Sequence, residues 1–289
     1  MNYSVIIPYR DTYELLLRAC DSVPDRDDIQ ILIVDNSVVP LTHERVPVKS
    51  AARVDFFCSD PTKGAGCARN VGLDHAVGDR LLFLDADDVF TDTAFAAFDV
   101  FLSTDYDIVF FPPASVVLSS GQSGTRHRYY ADMVDEYLST CDEERVRYRY
   151  FPPWSKLFRR SFIEAERIRF DVLPVSNDVM FSLRCGHAAR TVTASSQVVY
   201  TVSEGECNNS LTTRRSRANM FIRYQVAVAQ YRFVSEHGHP KMRFHLLSKV
   251  VDAFRFFGIR EGFKYVRYSL TNRVNIFYGL LQMTNKKTR

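Results

Sequence analysis

Five short runs of almost unbroken apolar residues punctuate the first 111 positions of this chain: Tyr3–Ile7, Gln30–Val34, Val54–Cys58, Arg80–Leu84 and Ile108–Phe111. A strand with one wet face alternates apolar and polar residues. These runs do not alternate, so they suit strands covered on both faces of a mainly parallel sheet. Between them, Thr12–Cys20, Gly66–Val77 and Thr91–Leu102 carry apolar residues at helical spacing. Such strand–helix alternation predicts a doubly wound α/β unit. Right-handed crossovers then bring the carboxyl ends of the strands to one edge, where open α/β sheets bind ligands.

The alternation stops near residue 112. Gly121–Gly124 reads as a turn between short strands, Asp132–Leu138 and Asn177–His187 as helices, and Thr191–Val202 as extended chain. Beyond Thr213 the pattern is helical, with breaks near Gly238–Pro240 and Gly258. The charge balance changes at the same place. Residues 214–289 hold 16 Lys and Arg against three acids, whereas residues 1–213 hold 21 basic and 31 acidic residues. The formal net charge of +3 therefore conceals an acidic body, 1–213, and a basic tail, 214–289, read as separate domains.

With 46% hydrophobic and 25% charged residues, composition excludes disorder, collagen and coiled coil as the main architecture. No apolar run approaches the roughly 20 residues that span a bilayer. No cationic segment precedes the first apolar run, so neither a transmembrane helix nor a secretory signal is expected. The cysteines Cys20, Cys58, Cys67, Cys141, Cys185 and Cys207 form no C-x-x-C pair. They are expected to be reduced thiols of a cytosolic protein, behaving as small buried hydrophobes.

The sharpest chemical signal is Leu81-Leu82-Phe83-Leu84-Asp85-Ala86-Asp87-Asp88, where an apolar strand delivers three carboxylates within four positions. Like charges packed this closely resist burial unless a cation or hydrogen-bond donor compensates. A divalent ion such as Mg²⁺ or Mn²⁺, sharing its shell with substrate phosphates, is one compensator. A solvated acidic turn capping the next helix is the other reading, Asp88 acting as the cap. Lys63-Gly64-Ala65-Gly66-Cys67-Ala68-Arg69-Asn70 has two glycines between a strand and a helix. It is either a phosphate-approaching loop or an ordinary glycine turn, and it lacks the third glycine of a dinucleotide fingerprint. Asp35, closing Ile33-Val34-Asp35, either forms a turn or shares an edge with the Asp85 cluster.

Taken together, Val5-Ile6-Ile7-Pro8, Val34-Asp35-Asn36-Ser37, Gly64-Ala65-Gly66-Cys67-Ala68-Arg69-Asn70-Val71-Gly72 and Phe83-Leu84-Asp85-Ala86-Asp87-Asp88 resemble, in order and spacing, the family 2 glycosyltransferases of GT-A fold. Trp154-Ser155-Lys156-Leu157-Phe158 is similar to that family's W-x-K-L-[FY] segment. Asn177-Asp178-Val179-Met180-Phe181 is similar to its Glu-Asp-x-x-F segment, and Asn209-Ser210-Leu211-Thr212 to its Gly-Ser-Ile-Thr. The resemblance spans about residues 3–213 and implies a GT-A α/β catalytic domain followed by a helical extension, with acceptor-side elements within about 112–213.

The resemblance also implies roles. Pro8 and Tyr9 would border the nucleoside pocket, with Asp35 and Arg69 holding the base. Asp85 would contact ribose or donor sugar, and Asp87 would bind the Mn²⁺ or Mg²⁺ bridging the diphosphate. Asp178 would be the general base, for which an N-cap before the next helix is the structural alternative. Trp154 and Lys156 would help shape the acceptor side. Two departures stand out. The family commonly has Tyr-Asn after the first proline, where this chain has Tyr9-Arg10-Asp11, and Asn177 replaces the glutamate before the catalytic aspartate. An uncharged neighbour should lower the proton affinity of Asp178 relative to a Glu–Asp pair.

The implied reaction is an inverting transfer of a sugar from a UDP-hexose or UDP-N-acetylhexosamine to a hydroxyl of a glycan or lipid-linked oligosaccharide, in cell-surface polysaccharide synthesis. Two rivals stay open: a sugar nucleotidyltransferase, whose glycine-rich loop would be expected after the first strand, and a non-catalytic glycan- or lipid-binding scaffold. The tail interleaves its basic residues with 13 Phe and Tyr. That pattern suits helices lying on an anionic membrane surface, which would place the protein at the inner face of the plasma membrane. Packing on the catalytic domain or a homodimer contact is the alternative. Nucleic acid is not expected, because no recognition motif accompanies the charge.

Overall fold

The structure, a computed structural model, describes residues 1–205 and 216–278. Cys207 and the Asn209–Thr212 segment lie outside the described residues. The chain divides into two compact units, Met1–Asn208 and Asn209–Arg289.

In the first unit, β1 (Tyr3–Tyr9), β2 (Ile29–Asp35), β3 (Arg53–Cys58) and β4 (Arg80–Phe83) are parallel, in the spatial order β3-β2-β1-β4. The helices α1 (Tyr13–Asp21) and α2 (Gly64–His75) make the crossovers. All seven residues of β2 are buried, as its unbroken apolar run demands. Register settles where the strands stop. Tyr9 stands opposite Asp35, and Ile6 opposite Phe83, so β1, β2 and β4 end along one edge.

After α3 (Ala94–Asp99) and β6 (Ile108–Phe110) the topology departs from a simple wound sheet. β8 (Lys156–Arg159) inserts antiparallel between β4 and β6, and β9 (Val192–Ala194) pairs parallel with β6 at the edge. A second sheet joins β5 (Val89–Phe90), β10 (Tyr200–Glu204) and β7 (Pro113–Val117). The run expected to be extended over Thr191–Val202 is thus two strands in two different sheets. Around them lie α4 (Arg128–Thr140), α5 (Glu144–Arg149), α6 (Arg160–Ala165) and α7 (Val179–Ala188). Phe83 meets Phe158, Phe170 and Phe181 edge-on at 5.2–5.8 Å, which locks β4 to β8 and α7 through aromatic packing. The cysteine expectation holds only in part: Cys20 and Cys185 are buried, but Cys58 and Cys141 are exposed at the ends of β3 and α4.

The second unit contains α8 (Arg217–Glu236), α9 (Leu247–Phe257) and α10 (Ile259–Thr271). The Ser216 hydroxyl accepts from the Asn219 N–H at 3.1 Å and caps α8. Gly258, at φ +85°, makes the break between α9 and α10. Tyr224, Val228, Leu246, Val250 and Tyr265 form the unit's own core. Among the described residues no helix is long and apolar enough to cross a membrane.

Candidate active site

Three strand ends deliver the site. Tyr9 closes β1, Asp35 closes β2, and Asp85, Asp87 and Asp88 follow β4. Arg69 comes from the second turn of α2, and Asp178 immediately precedes α7.

The glycine pair explains how α2 lies against the segment that leads into α7. Gly64 takes φ +74°, and a β-carbon there would stand 2.9 Å from the Leu173 carbonyl. At Gly66 a β-carbon would stand 2.3 Å from the Asp171 carbonyl and 2.8 Å from Asn177 Cβ. The glycines therefore serve close approach of α2 to the 171–177 segment, the segment that leads into Asp178. Arg69 crosses the resulting contact. Its Nη1 donates to Asn177 Oδ1 at 2.8 Å and its Nη2 to Asp85 Oδ1 at 2.5 Å, with Phe170 packed 5.4 Å from the guanidinium. At 6% exposure this cation ties the β4 turn to the segment before α7. The family resemblance implies that Arg69 holds a base; here the guanidinium is already committed to two protein partners. Asn177, which replaces a family glutamate, is the acceptor it uses.

Asp35, 1% exposed, is likewise committed. Its two oxygens accept from the Ser37 and Leu41 N–H groups at 2.7 Å each, shaping the loop after β2 as an Asx-type turn. That loop and the end of β1 enclose a cleft of about 470 Å³ lined by Tyr9, Asp11, Tyr13, Ser37, Leu41 and Arg45, among others. Pro8 precedes Tyr9 in β1, half-buried. The Arg45 guanidinium lies 4.0 Å from the Tyr13 ring centroid.

In the acidic turn, Asp85, Asp87 and Asp88 each offer an oxygen, all within 4.8 Å of one another. Their surroundings divide them. Asp88 is buried and accepts from the Tyr200 hydroxyl at 2.8 Å and the Ser203 N–H at 2.7 Å. Asp85 pairs with Arg69, while Asp87 is exposed and accepts no hydrogen bond from another described side chain. Burial, then the charges of Asp87 and Asp85, push Asp88 well above the ordinary carboxylate range. Desolvation by surrounding protein, then Asp85, raises Asp87. Such a cluster, with Asp88 spent on protein donors, Asp85 sharing one oxygen with Arg69 and Asp87 exposed, fits a hard divalent cation that takes oxygen ligands.

Asp178 occupies the capping position of α7 but has helical dihedrals (φ −84°, ψ −28°), and its side chain accepts no bond from the helix amides. The cap reading therefore fails. Burial raises its proton affinity, opposed first by the Arg69 cation. Ser176, at φ +56°, holds a sparsely populated conformation just ahead of it.

Trp154 and Lys156 are both buried, so any effect on an acceptor passes through the residues they touch. The Lys156 ammonium donates to the Tyr150 carbonyl at 2.6 Å and the Ser182 hydroxyl at 3.4 Å. Burial brings its pKa down to about 7. Trp154 stacks on Tyr200 with centroids 5.1 Å apart at 10°. Two site residues had no signal in the sequence. Tyr200 stands more than 100 positions from the turn it touches, and Arg18, on α1, donates to the Asp87 carbonyl and to Ser203 Oγ.

The chain is 27% identical over 191 residues to "Putative glycosyltransferase EpsH" of Bacillus subtilis (strain 168), a match covering 62% of this chain. The chain spans about half the length of that curated relative (54%). Among solved structures, S. aureus TarS 1–349 in complex with UDP-GlcNAc superposes at a TM-score of 0.65 and 20% identity, covering 89% of this chain and 73% of that one. A mannosyltransferase from Pyrobaculum calidifontis, in complex with GDP-Man and Mn²⁺, gives 0.57 and 14%, covering 99% and 79%. These two likenesses establish the fold, a GT-A type α/β architecture. Residues 4–167, more than half of the chain and all of β1 to β4 but the first residue, match the family described as "Glycosyl transferase family 2", and the chain belongs to that family.

Proposed function

We propose that the chain is an inverting, metal-assisted glycosyltransferase that moves a sugar from a nucleotide-sugar to an acceptor hydroxyl. The observation that carries this reading is the Arg69 bridge. It holds the acidic turn after β4 and the segment ahead of Asp178 in one constellation. Asp178 would take the proton of the acceptor hydroxyl as that oxygen bonds to the anomeric carbon. The bond from the same carbon to the diphosphate oxygen breaks on the opposite face, and the nucleoside diphosphate leaves. A divalent ion held by Asp87 and Asp85, Mn²⁺ or Mg²⁺, would supply charge stabilisation for that leaving group.

The cleft beside Asp35 suits the nucleoside. TarS was solved with UDP-GlcNAc and the mannosyltransferase with GDP-Man; we take UDP-hexose or UDP-N-acetylhexosamine as the donor class. Incubation with labelled nucleotide-sugars and metal should release nucleoside diphosphate slowly and faster with acceptor. Pyrophosphate formed from nucleoside triphosphate plus sugar phosphate would instead mark a nucleotidyltransferase, and no turnover of either kind would leave a scaffold.

The basic tail supports a lipid-linked acceptor at a membrane face. On α10, Ile259, Phe263 and Leu270 are 72%, 61% and 72% exposed, and at ~100° per residue they share one stripe. Arg260, Lys264 and Arg267 form the neighbouring stripe. Apolar side chains beside cations suit an anionic bilayer interface. The full chain should sediment with anionic vesicles and lose that on Phe263→Glu with Leu270→Glu. Unchanged sedimentation would remove the membrane reading, and a monomer–dimer shift would assign the stripe to a second copy.

A further inference from the structure

We propose that Tyr200 is a positioning residue for the reaction, clamping the Asp85–Asp88 turn so that the carboxylates of Asp85 and Asp87 face a cation together. The tyrosine starts β10 in the second sheet, and its side chain is buried. Its hydroxyl works in both directions: it donates to Asp88 Oδ2 at 2.8 Å and accepts from the Asp85 N–H at 3.1 Å. Three residues on, the Ser203 N–H donates to the other oxygen of Asp88 at 2.7 Å. Arg18, on α1, donates to the Asp87 carbonyl and, at 2.8 Å, to Ser203 Oγ. The amide of Asp85, the carbonyl of Asp87 and the carboxylate of Asp88 are thus all gripped by β10 and α1.

Such a grip answers a physical problem. Three acidic oxygens within 4.8 Å repel one another, and a free turn would relieve that by swinging the carboxylates apart. The clamp removes the freedom while drawing one carboxylate, Asp88, out of the cluster and into protein hydrogen bonds. With its proton donated to Asp88 and its oxygen accepting from the Asp85 N–H, the tyrosine hydroxyl acts as an anchor. Groups that orient metal ligands in this way commonly contribute 10- to 100-fold in metal affinity. Trp154, the only tryptophan of the chain, stacks on the Tyr200 ring. Movement of the turn therefore reaches the indole through one intervening side chain.

The inference rests on the proposed metal-dependent reading, and one titration tests the two separately. Mg²⁺ is added to the full chain with UDP present, followed by calorimetry and by tryptophan emission. Wild type should bind and change its emission; if it binds no Mg²⁺, the functional reading fails. Tyr200→Phe keeps the ring and the stack but strands the Asp85 N–H and Asp88 Oδ2. Its Kd for Mg²⁺ should rise at least tenfold, with a weakened emission change. Tyr224→Phe, which removes another buried tyrosine hydroxyl in the second unit, should cost stability yet leave that Kd alone. Arg18→Met tests the clamp from its other side, should Tyr200→Phe not fold, and should also weaken Mg²⁺ severalfold. Wild-type binding with Tyr200→Phe within twofold of it, or Arg18→Met within twofold where Tyr200→Phe is unfolded, overturns the positioning role.

Discussion

Replacing Arg69 with methionine keeps most of the side chain's volume and removes the cation that joins Asp85 to Asn177. The Asn177 amide is nearly fully buried and loses a charge-assisted partner, while Asp85 is partly exposed and can recruit water in exchange. Hydrogen bonds involving a charged group are worth about 1.5–3 kcal/mol each. Discounting the Asp85 bond for water and adding ~0.5–1 kcal/mol for the contact with Phe170 gives a loss of about 3 kcal/mol. For a unit of this size that corresponds to a fall in Tm of roughly 6–12 °C, readable by calorimetry. Arg69→Lys, which keeps the charge but not the fork, should fall in between. A second signature follows from electrostatics. Arg69 is the foremost influence lowering the proton affinity of Asp178, so its loss raises that affinity further. Because Asp178 must be ionised to accept a proton, the acid limb of kcat/KM should move to higher pH. A Tm within 2 °C of wild type together with an unmoved acid limb would refute the bridge as the organising contact.

Two other perturbations probe neighbouring parts of the argument. Gly66→Ala forces a methyl group into the Asp171 carbonyl and Asn177; overpacking of this kind costs about 1–3 kcal/mol, and turnover should fall with stability as α2 is levered away from the 171–177 segment. Wild-type stability and rate would show that the contact yields freely. Lys156 has its folded pKa lowered from 10.5 to about 7, so between those values the unfolded chain holds the extra proton and stability rises with pH, by up to ~1.4 kcal/mol per unit. Urea unfolding at pH 7, 8 and 9 should show a shallower rise for Lys156→Met; equal slopes would mean that Lys156 stays charged when buried.

The parallel half of the fold was legible because strands buried on both faces leave a local mark. The runs at Tyr3–Ile7, Gln30–Val34 and Arg80–Leu84 became strands buried almost throughout, whereas Val54–Cys58, expected to be covered on both faces like them, became the edge strand β3, none of whose residues is fully buried. β5, two residues long, and β8, four, leave too little periodicity to read, and β8's antiparallel insertion depends on partners more than 40 residues away. The site divides in the same way. The acidic turn declares itself by composition, whereas the purpose of Gly64 and Gly66 is visible only once the 171–177 segment lies against them. Tyr200 and Arg18 resemble any other strand tyrosine and helix arginine until the chain brings them to the turn. Asp178 could be read as a helix cap or as a base, and its dihedral angles and missing capping bond remove the first reading.

The central claim is that the acidic turn binds and Asp178 reacts, and it is tested by measuring donor affinity and turnover side by side in two variants. Asp178→Asn should lose about 10²- to 10⁴-fold in transfer rate while binding nucleotide-sugar and metal as wild type does. Asp87→Ala should lose metal-dependent donor binding together with turnover. Full turnover by Asp178→Asn, or unchanged metal-dependent donor binding by Asp87→Ala, would contradict the division of labour and with it the account.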